Sequence, residues 1–260
     1  MASVSQTFPI SSSNRMTESG FWDHAHTRGV VPGDSWYRKL ARRQFDSLLR
    51  GLLHESAEAP RVIELGCAPG RMLCRLNRLR SDCHFTGVDF SEFGLDLTRE
   101  ATDSEGMNAD IIQGDVFEIQ VPKKFDIATS FGLVEHFTDT PSIIRQHARL
   151  CRPGGVVAIT IPNFAPCKSL ARVIAPTQAD AHNFEIMRRD RLFAAMKAAG
   201  LENVEVGGFG GPRIWMETEK TRVYRHVYWR AAQAWNFFAS LVPGSVTWDG
   251  NYWARGTVAA

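Results

Sequence analysis

The chain has 260 residues, 44% hydrophobic and 22% charged, which is enough for one sizeable core and unlike a disordered polymer. Its net charge is only +2, and the basic residues are scattered along the chain. That balance argues against a nucleic-acid partner.

Residues 1–19 are polar and Ser-rich, and a flexible tail is expected there. They lack the basic leader and apolar core of a secretory signal, and no apolar run is long enough to span a bilayer. Residues 20–56 hold a Trp-, His- and Arg-rich stretch followed by "WYRKLARRQFDSLLRGLLHE" (36–55). There Leu40, Phe45, Leu48, Leu49 and Leu52 recur at helical spacing. Strand and helix signals then alternate. "RVIEL" (61–65) and "HFTGVDF" (84–90) read as strands around a helix at 71–80. A helix over 92–106, closed by Gly106, precedes strands at 109–115 and 125–130. "TPSIIRQHARLCRPGG" (140–155) reads as a helix capped by Thr140, with Pro141 in its first turn and Gly154 and Gly155 as its exit. A strand at 156–162, a helix at 188–200 and a strand at 203–209 follow. A long helix over 218–242 and a last strand at 251–260 close the chain. The alternation predicts an α/β fold, a mostly parallel sheet with helices on both faces. The five cysteines are odd in number and contain no C-x-x-C pair, so neither a zinc site nor a disulfide framework is expected. A reducing cytoplasm fits that usage.

In such sheets ligands sit beyond the carboxyl ends of the strands. The turn Gly66-Cys67-Ala68-Pro69-Gly70 falls at the first of these ends. It reads neither G-x-G-x-x-G nor Gly-Lys-Ser/Thr, so it is not built to cradle a pyrophosphate or a nucleotide triphosphate. Alone it fits a tight structural turn equally well. Asp89 ends the second strand, where an acid accepts hydrogen bonds from ribose hydroxyls. Asp115 ends the third, within reach of an exocyclic amine, and Ser130 and Phe131 end the fourth. The implied ligand is a nucleoside that needs no phosphate cradle.

The ordered set "VIELGCAPG", "GVDFS", "QGDVFEI", "FDIATSFGLVEHF" and "LCRPGGVVAITIPN" resembles the motifs of class I S-adenosylmethionine-dependent methyltransferases, over roughly residues 36–260. The branch it resembles acts on small molecules and includes quinone-pathway enzymes. The resemblance implies a Rossmann-like seven-stranded sheet whose last strand is antiparallel and inserted beside the fifth. It implies S-adenosyl-L-methionine as cofactor, with Gly66, Cys67, Ala68 and Gly70 along its methionine and ribose portion. Asp89 would hold the ribose, Phe90 would lie beside the adenine, and Asp115 and Val116 would meet its edge. The backbone near Ser130 and the ring of Phe131 would face the sulfonium. The family usually has glycine where Ala68 stands. By the same likeness, residues 57–260 form the methyltransferase domain, with a helical insertion at about 215–245, and residues 20–56 include a lid over the cofactor.

His136, in "VEHF", is the candidate general base; the competing reading is that it caps or packs the next helix. Arg28 is a candidate partner for the methionine carboxylate, and His24, His26 and His182 are the other histidines able to reach the pocket. Glu135, His136 and His182 resemble a metal site of some relatives, among them small-RNA 3′-terminal ribose methyltransferases. Those relatives carry a further glutamate where this chain has Gly132. One ligand short, the trio is read as structural and no metal is expected. The 218–242 helix has three readings: core packing, which is favoured, a wall for an apolar or aromatic acceptor, or a peripheral membrane contact. Three functions are weighed. The first and preferred is methyl transfer to oxygen or nitrogen of a small acceptor. The others are metal-assisted methylation of RNA ribose and nucleoside binding without catalysis. The oligomeric state is left open.

Overall fold

A computed structural model describes residues 14–17, 20–23, 36–54, 58–121, 124–169, 172, 176–210, 234 and 249–260. The expectations for the 218–242 helix, for His24, His26 and for Arg28 lie outside the described residues. Helix α1 (Trp36–His54) leads into strand β1 (Arg61–Leu65), helix α2 (Arg71–Leu79) and strand β2 (His84–Asp89). Helix α3 (Glu92–Ser104), strand β3 (Ala109–Gln113) and strand β4 (Phe125–Phe131) follow. After a single 3-10 turn (Val134–His136) come helix α4 (Thr140–Leu150) and strand β5 (Cys151–Pro162). A short helix α5 (Pro176–Asp180) and helix α6 (Arg189–Ala198) precede strands β6 (Leu201–Phe209) and β7 (Asn251–Val258).

The seven strands are ordered β3-β2-β1-β4-β5-β7-β6. Strands β1 to β5 pair in parallel, and β7 pairs antiparallel with both β5 and β6. The inserted antiparallel last strand is therefore present. Strand order reverses beside β1, so β1 and β4 diverge to opposite sides of one crevice, the place where such sheets hold ligands.

Alternation along β1 explains the two layers. Val62 packs with Leu49, Leu52 and Leu53 of α1, Leu73 and Leu76 of α2 and Leu95 of α3. Ile63 and Leu65 face Ile143 and Ile144 of α4 and Leu192 and Met196 of α6. The period of two that sends Val62 one way sends Ile63 the other. Each side chain buried this way contributes roughly 1.5–3 kcal/mol.

Both boundaries of α4 differ from the sequence expectation, and β3 ends at Gln113, short of Asp115. Helix α4 is capped by Asp139, whose carboxylate accepts from Ser142 N at 3.0 Å, and Thr140 is its first residue. An aspartate two residues before a proline competes with a threonine for the same role, and the chain settles one residue earlier. The helix also ends at Leu150, and the strand starts at Cys151. Gly154 (φ 71°) and Gly155 therefore do not form a helix exit. They absorb a register shift, since Phe125 pairs with Cys151 but Ile127 pairs with Val156.

His147 locks α4 to β4. It is fully buried; its Nδ1 lies 2.9 Å from the Ile143 carbonyl, and its Nε2 lies 2.9 Å from Ser130 Oγ. A carbonyl only accepts, so Nδ1 carries the proton and Ser130 donates its hydroxyl to Nε2. Burial pushes the imidazole down to about 4 from its ordinary 6.5. In the unfolded chain the same group takes a proton near 6.5, so stability falls as pH drops from about 6.5 to about 4. His136, also buried and lowered to about 4, acts in the same direction. Thermal unfolding of His147→Gln should therefore show a shallower loss of Tm between pH 6.5 and 4 than the native chain, by about 6–12 °C. A parallel slope would rule out this source of acid sensitivity.

Candidate active site

The site begins with the turn from β1 to α2. Gly66 and Gly70 have φ of 71° and 82°. A Cβ on Gly66 would meet Leu133 at 3.0 Å, and one on Gly70 would meet the Thr98 backbone at 3.0 Å. Both positions need glycine for conformation and for space. The turn is pinned to β2, because the amides of Gly66 and Cys67 donate to the Val88 carbonyl at 2.8 and 3.1 Å. Asp89 completes the brace. One carboxylate oxygen accepts from Ala68 N at 3.1 Å and the other from Ser91 N at 3.0 Å. Ser91 in turn caps α3 through Gly94 N at 2.9 Å. Asp89 is 8% exposed and sits on the wall of a cavity.

The cavity encloses about 110 Å³ at the rim where β1, β2 and β4 end. Seven of the eleven residues expected from sequence line it: Gly66, Ala68, Asp89, Phe90, Val116, Phe131 and His136. The other four lie outside its lining. Cys67 is buried behind the turn, with Sγ 2.8 Å from where a Gly87 Cβ would lie. Gly70 is the α2 N-cap. Ser130 is fully buried and spends its hydroxyl on His147. Asp115 stands beyond the end of β3, where its Oδ1 accepts from Phe117 N at 2.9 Å and its Oδ2 pairs with Arg15.

Sequence reasoning missed part of the far wall. Residues 14–17, placed in the tail by the sequence, run beside the 3-10 turn. Arg15 forms a β-bridge with Phe137, Met16 N donates to the His136 carbonyl at 2.9 Å, and Thr138 N donates to the Asn14 carbonyl at 2.9 Å. Trp22, in a helical turn at residues 20–23, donates from Nε1 to Thr17 Oγ1 at 3.0 Å and sets its edge on His136 at 4.7 Å. Ser91 donates to Asp23 at 2.6 Å, which ties this cover to the Asp89 brace. No periodicity marks such a segment, and its partners lie about a hundred residues away in the chain. Glu64, by contrast, had a signal: one acid inside an apolar strand. It is 2% exposed, and its Oε2 has no hydrogen-bond partner. Burial, then the charge of Asp89, hold its carboxyl well above the usual range.

Glu135, His136 and His182 are brought together. Each offers a ligand atom, these atoms all lie within 4.8 Å of one another, and all three residues are buried. Lacing between two segments causes this. Asn183 N donates to the Glu135 carbonyl at 2.7 Å, and Asn183 Nδ2 donates to the Phe137 carbonyl at 3.0 Å. His136 Nδ1 donates to the Ala181 carbonyl at 2.7 Å, which leaves a lone pair on Nε2, 4.0 Å from Glu135 Oε1. Glu135 Oε2 has no hydrogen-bond partner, and burial pushes this carboxyl up to about 8. A lone pair and a carboxylate facing each other in a buried space suit a cation between them. Gly132 explains the missing fourth ligand: its φ is 78°, and a Cβ there would stand 3.3 Å from Glu135 Oε1.

A doubly wound sheet with a braced glycine turn and a strand-end acid at one rim suits a nucleoside ligand. The chain belongs to the family described as "Methyltransferase domain", whose model matches residues 56–221. It is a class I S-adenosylmethionine-dependent methyltransferase. It is 29% identical over 165 residues to a ubiquinone biosynthesis O-methyltransferase of Stutzerimonas stutzeri, covering 60% of this chain and 70% of that protein. The corresponding enzyme of Pseudomonas aeruginosa is 29% identical over 157 residues, covering 57% of this chain and 67% of that protein. In fold it is similar to the N-methyltransferase NodS from Bradyrhizobium japonicum, solved with S-adenosyl-L-homocysteine. The TM-score is 0.56, with 15% identity over 91% of this chain and 98% of that one. Among the described residues, no helix is long and apolar enough to cross a membrane.

Replacing Asp89 by Ala removes two backbone hydrogen bonds and the acceptor that faces the cavity. Affinity for S-adenosyl-L-homocysteine should fall about 10- to 100-fold, as expected for lost hydrogen bonds to a charged group. Calorimetry checks the loss, and circular dichroism checks that the sheet persists.

Proposed function

We propose that this methyltransferase modifies an oxygen, or else a nitrogen, of a small apolar or aromatic acceptor, with Asp89 holding the donor's ribose. The observation that carries this is the brace: Asp89 fixes Ala68 from the neighbouring strand end while still lining the cavity. Phe90 and Val116 form the adenine end, with Asp115 at its edge, and Gly66 and Ala68 follow the methionine and ribose portion. Cys67 and Gly70 shape the turn without lining the cavity. Phe131, with Gly132 and Leu133, stands toward the sulfonium, and Ser130 holds that strand end in place from behind through His147.

The donor, when bound, supplies a methyl group already activated by positive charge. The protein has to align the acceptor and exclude water, and orientation of this kind contributes up to roughly 7–11 kcal/mol. The carboxylate of Asp89 on the cavity wall favours a cationic ligand, and the Phe131 face adds a cation–π contribution. Trp22, Phe131, Leu133 and Phe137 give the acceptor side an apolar, aromatic lining. The curated relatives are named as O-methyltransferases, which supports oxygen as the accepting atom.

Burial makes His136 neutral, and a base whose conjugate acid lies near 4 is poorly matched to neutral pH. A second reading answers this weakness: Glu135, His136 and His182 hold a divalent cation. The unpartnered Glu135 Oε2 supports it against the metal-free reading of the sequence. Such an ion would supply Lewis acidity to an acceptor hydroxyl. Elemental analysis of the purified protein should find about one equivalent of metal, lost in Glu135→Ala. A metal-free protein whose turnover ignores chelators would return the trio to packing. An acceptor screen with isotopically labelled donor, followed by mass spectrometry of products, tests the acceptor class. Methylation confined to RNA ribose, or no product from any acceptor, would overturn it.

A further inference from the structure

Arg15 makes two side-chain contacts at the cavity, and both are with residues assigned above to the adenine. Its guanidinium pairs with the Asp115 carboxylate and lies over the Phe90 ring at 5.3 Å from the centroid. An adenine needs the same two features, a flat face to stack on and an acceptor at its edge. A guanidinium is also planar and rich in N–H donors, so it imitates the edge and the face of the base. The volume points the same way. The cavity measures about 110 Å³ with Arg15, Thr17 and Trp22 as one wall, whereas pockets for ligands of this size run to about 300–1,000 Å³.

We propose that Arg15 and the adenine compete for one seat, so that Arg15 sets cofactor affinity and speeds exchange of spent donor for fresh. This rests on the reading of Phe90 and Asp115 as the adenine end. The ion pair is partly open to solvent, with side chains 24% and 28% exposed, so salt weakens it. The strap around Arg15 is anchored independently of the guanidinium, through the backbone bonds of Asn14 and Met16. Arg15 can therefore swing away without the cover coming undone. Product release limits many enzymes, and a side chain that returns to the seat as the nucleoside leaves shortens that step.

The test is calorimetry and stopped-flow dissociation of S-adenosyl-L-homocysteine with the full chain. Arg15→Ala should bind about tenfold more tightly and release more slowly, the scale of one exposed ion pair plus one cation–π contact. Arg15→Lys should fall between, because it keeps the charge but loses the flat stack. Raising salt should tighten binding to the native chain and leave Arg15→Ala unmoved. Equal or weaker binding by Arg15→Ala at every salt concentration would overturn the proposal; weaker binding would make Arg15 a ligand of the cofactor. Failure of the underlying site reading shows separately, as unchanged affinity in Asp89→Ala.

Discussion

One carboxylate organises this enzyme. Asp89 accepts from the turn after β1 and from the residue that caps α3, so a single side chain joins two strand ends and a helix start. Without it, the Gly66–Gly70 turn would keep its backbone bonds to Val88 but lose the hold on Ala68. The turn has no phosphate to organise it, as pyrophosphate-binding loops do. Its shape must come from inside the protein, from paired glycines and from this acid. The same acid stands at the cavity wall, so what fixes the turn also defines one end of the ligand space.

The opposite wall is built by different means. The 3-10 turn at Val134–His136, the loop at Ala181–Asn183 and the strap at Asn14–Thr17 are short and irregular, and no periodic pattern holds them. Backbone hydrogen bonds between them do that work, and they carry Glu135, His136 and His182 into one buried cluster. A buried acid with one oxygen unpartnered is costly in a merely structural cluster, which is why this group bears on chemistry as well as on packing.

The sheet, and the glycine turn and acid at its rim, were legible in the sequence because their signals are local. β-branched runs gave β1 and β2 within a residue or so, Gly200 stopped α6, and the glycine turn and Asp89 sit where strands end. Signals were lost wherever the deciding contact was distant. Arg15 meets Asp115 and Phe137 across about a hundred residues, and nothing in "SSSNRMTES" announces it. Ser130 looked like a rim residue because it ends a strand; only the α4 histidine behind it shows that it faces inward. The start of β5 was hidden because Gly154 and Gly155 serve a helix exit and a strand irregularity equally well, and pairing with β4 decides between them. The rest of the insertion between β6 and β7 lies outside the described residues.

The two ends of that insertion meet on the active rim. Gly250 N donates to the Gly210 carbonyl at 3.0 Å, and Phe209 sits opposite Asn251 in the ladder. Such a clasp closes the ladder at Gly210 and Gly250, so the pairing of β6 with β7 is complete whatever the intervening sequence, and changes there need not reach the strands.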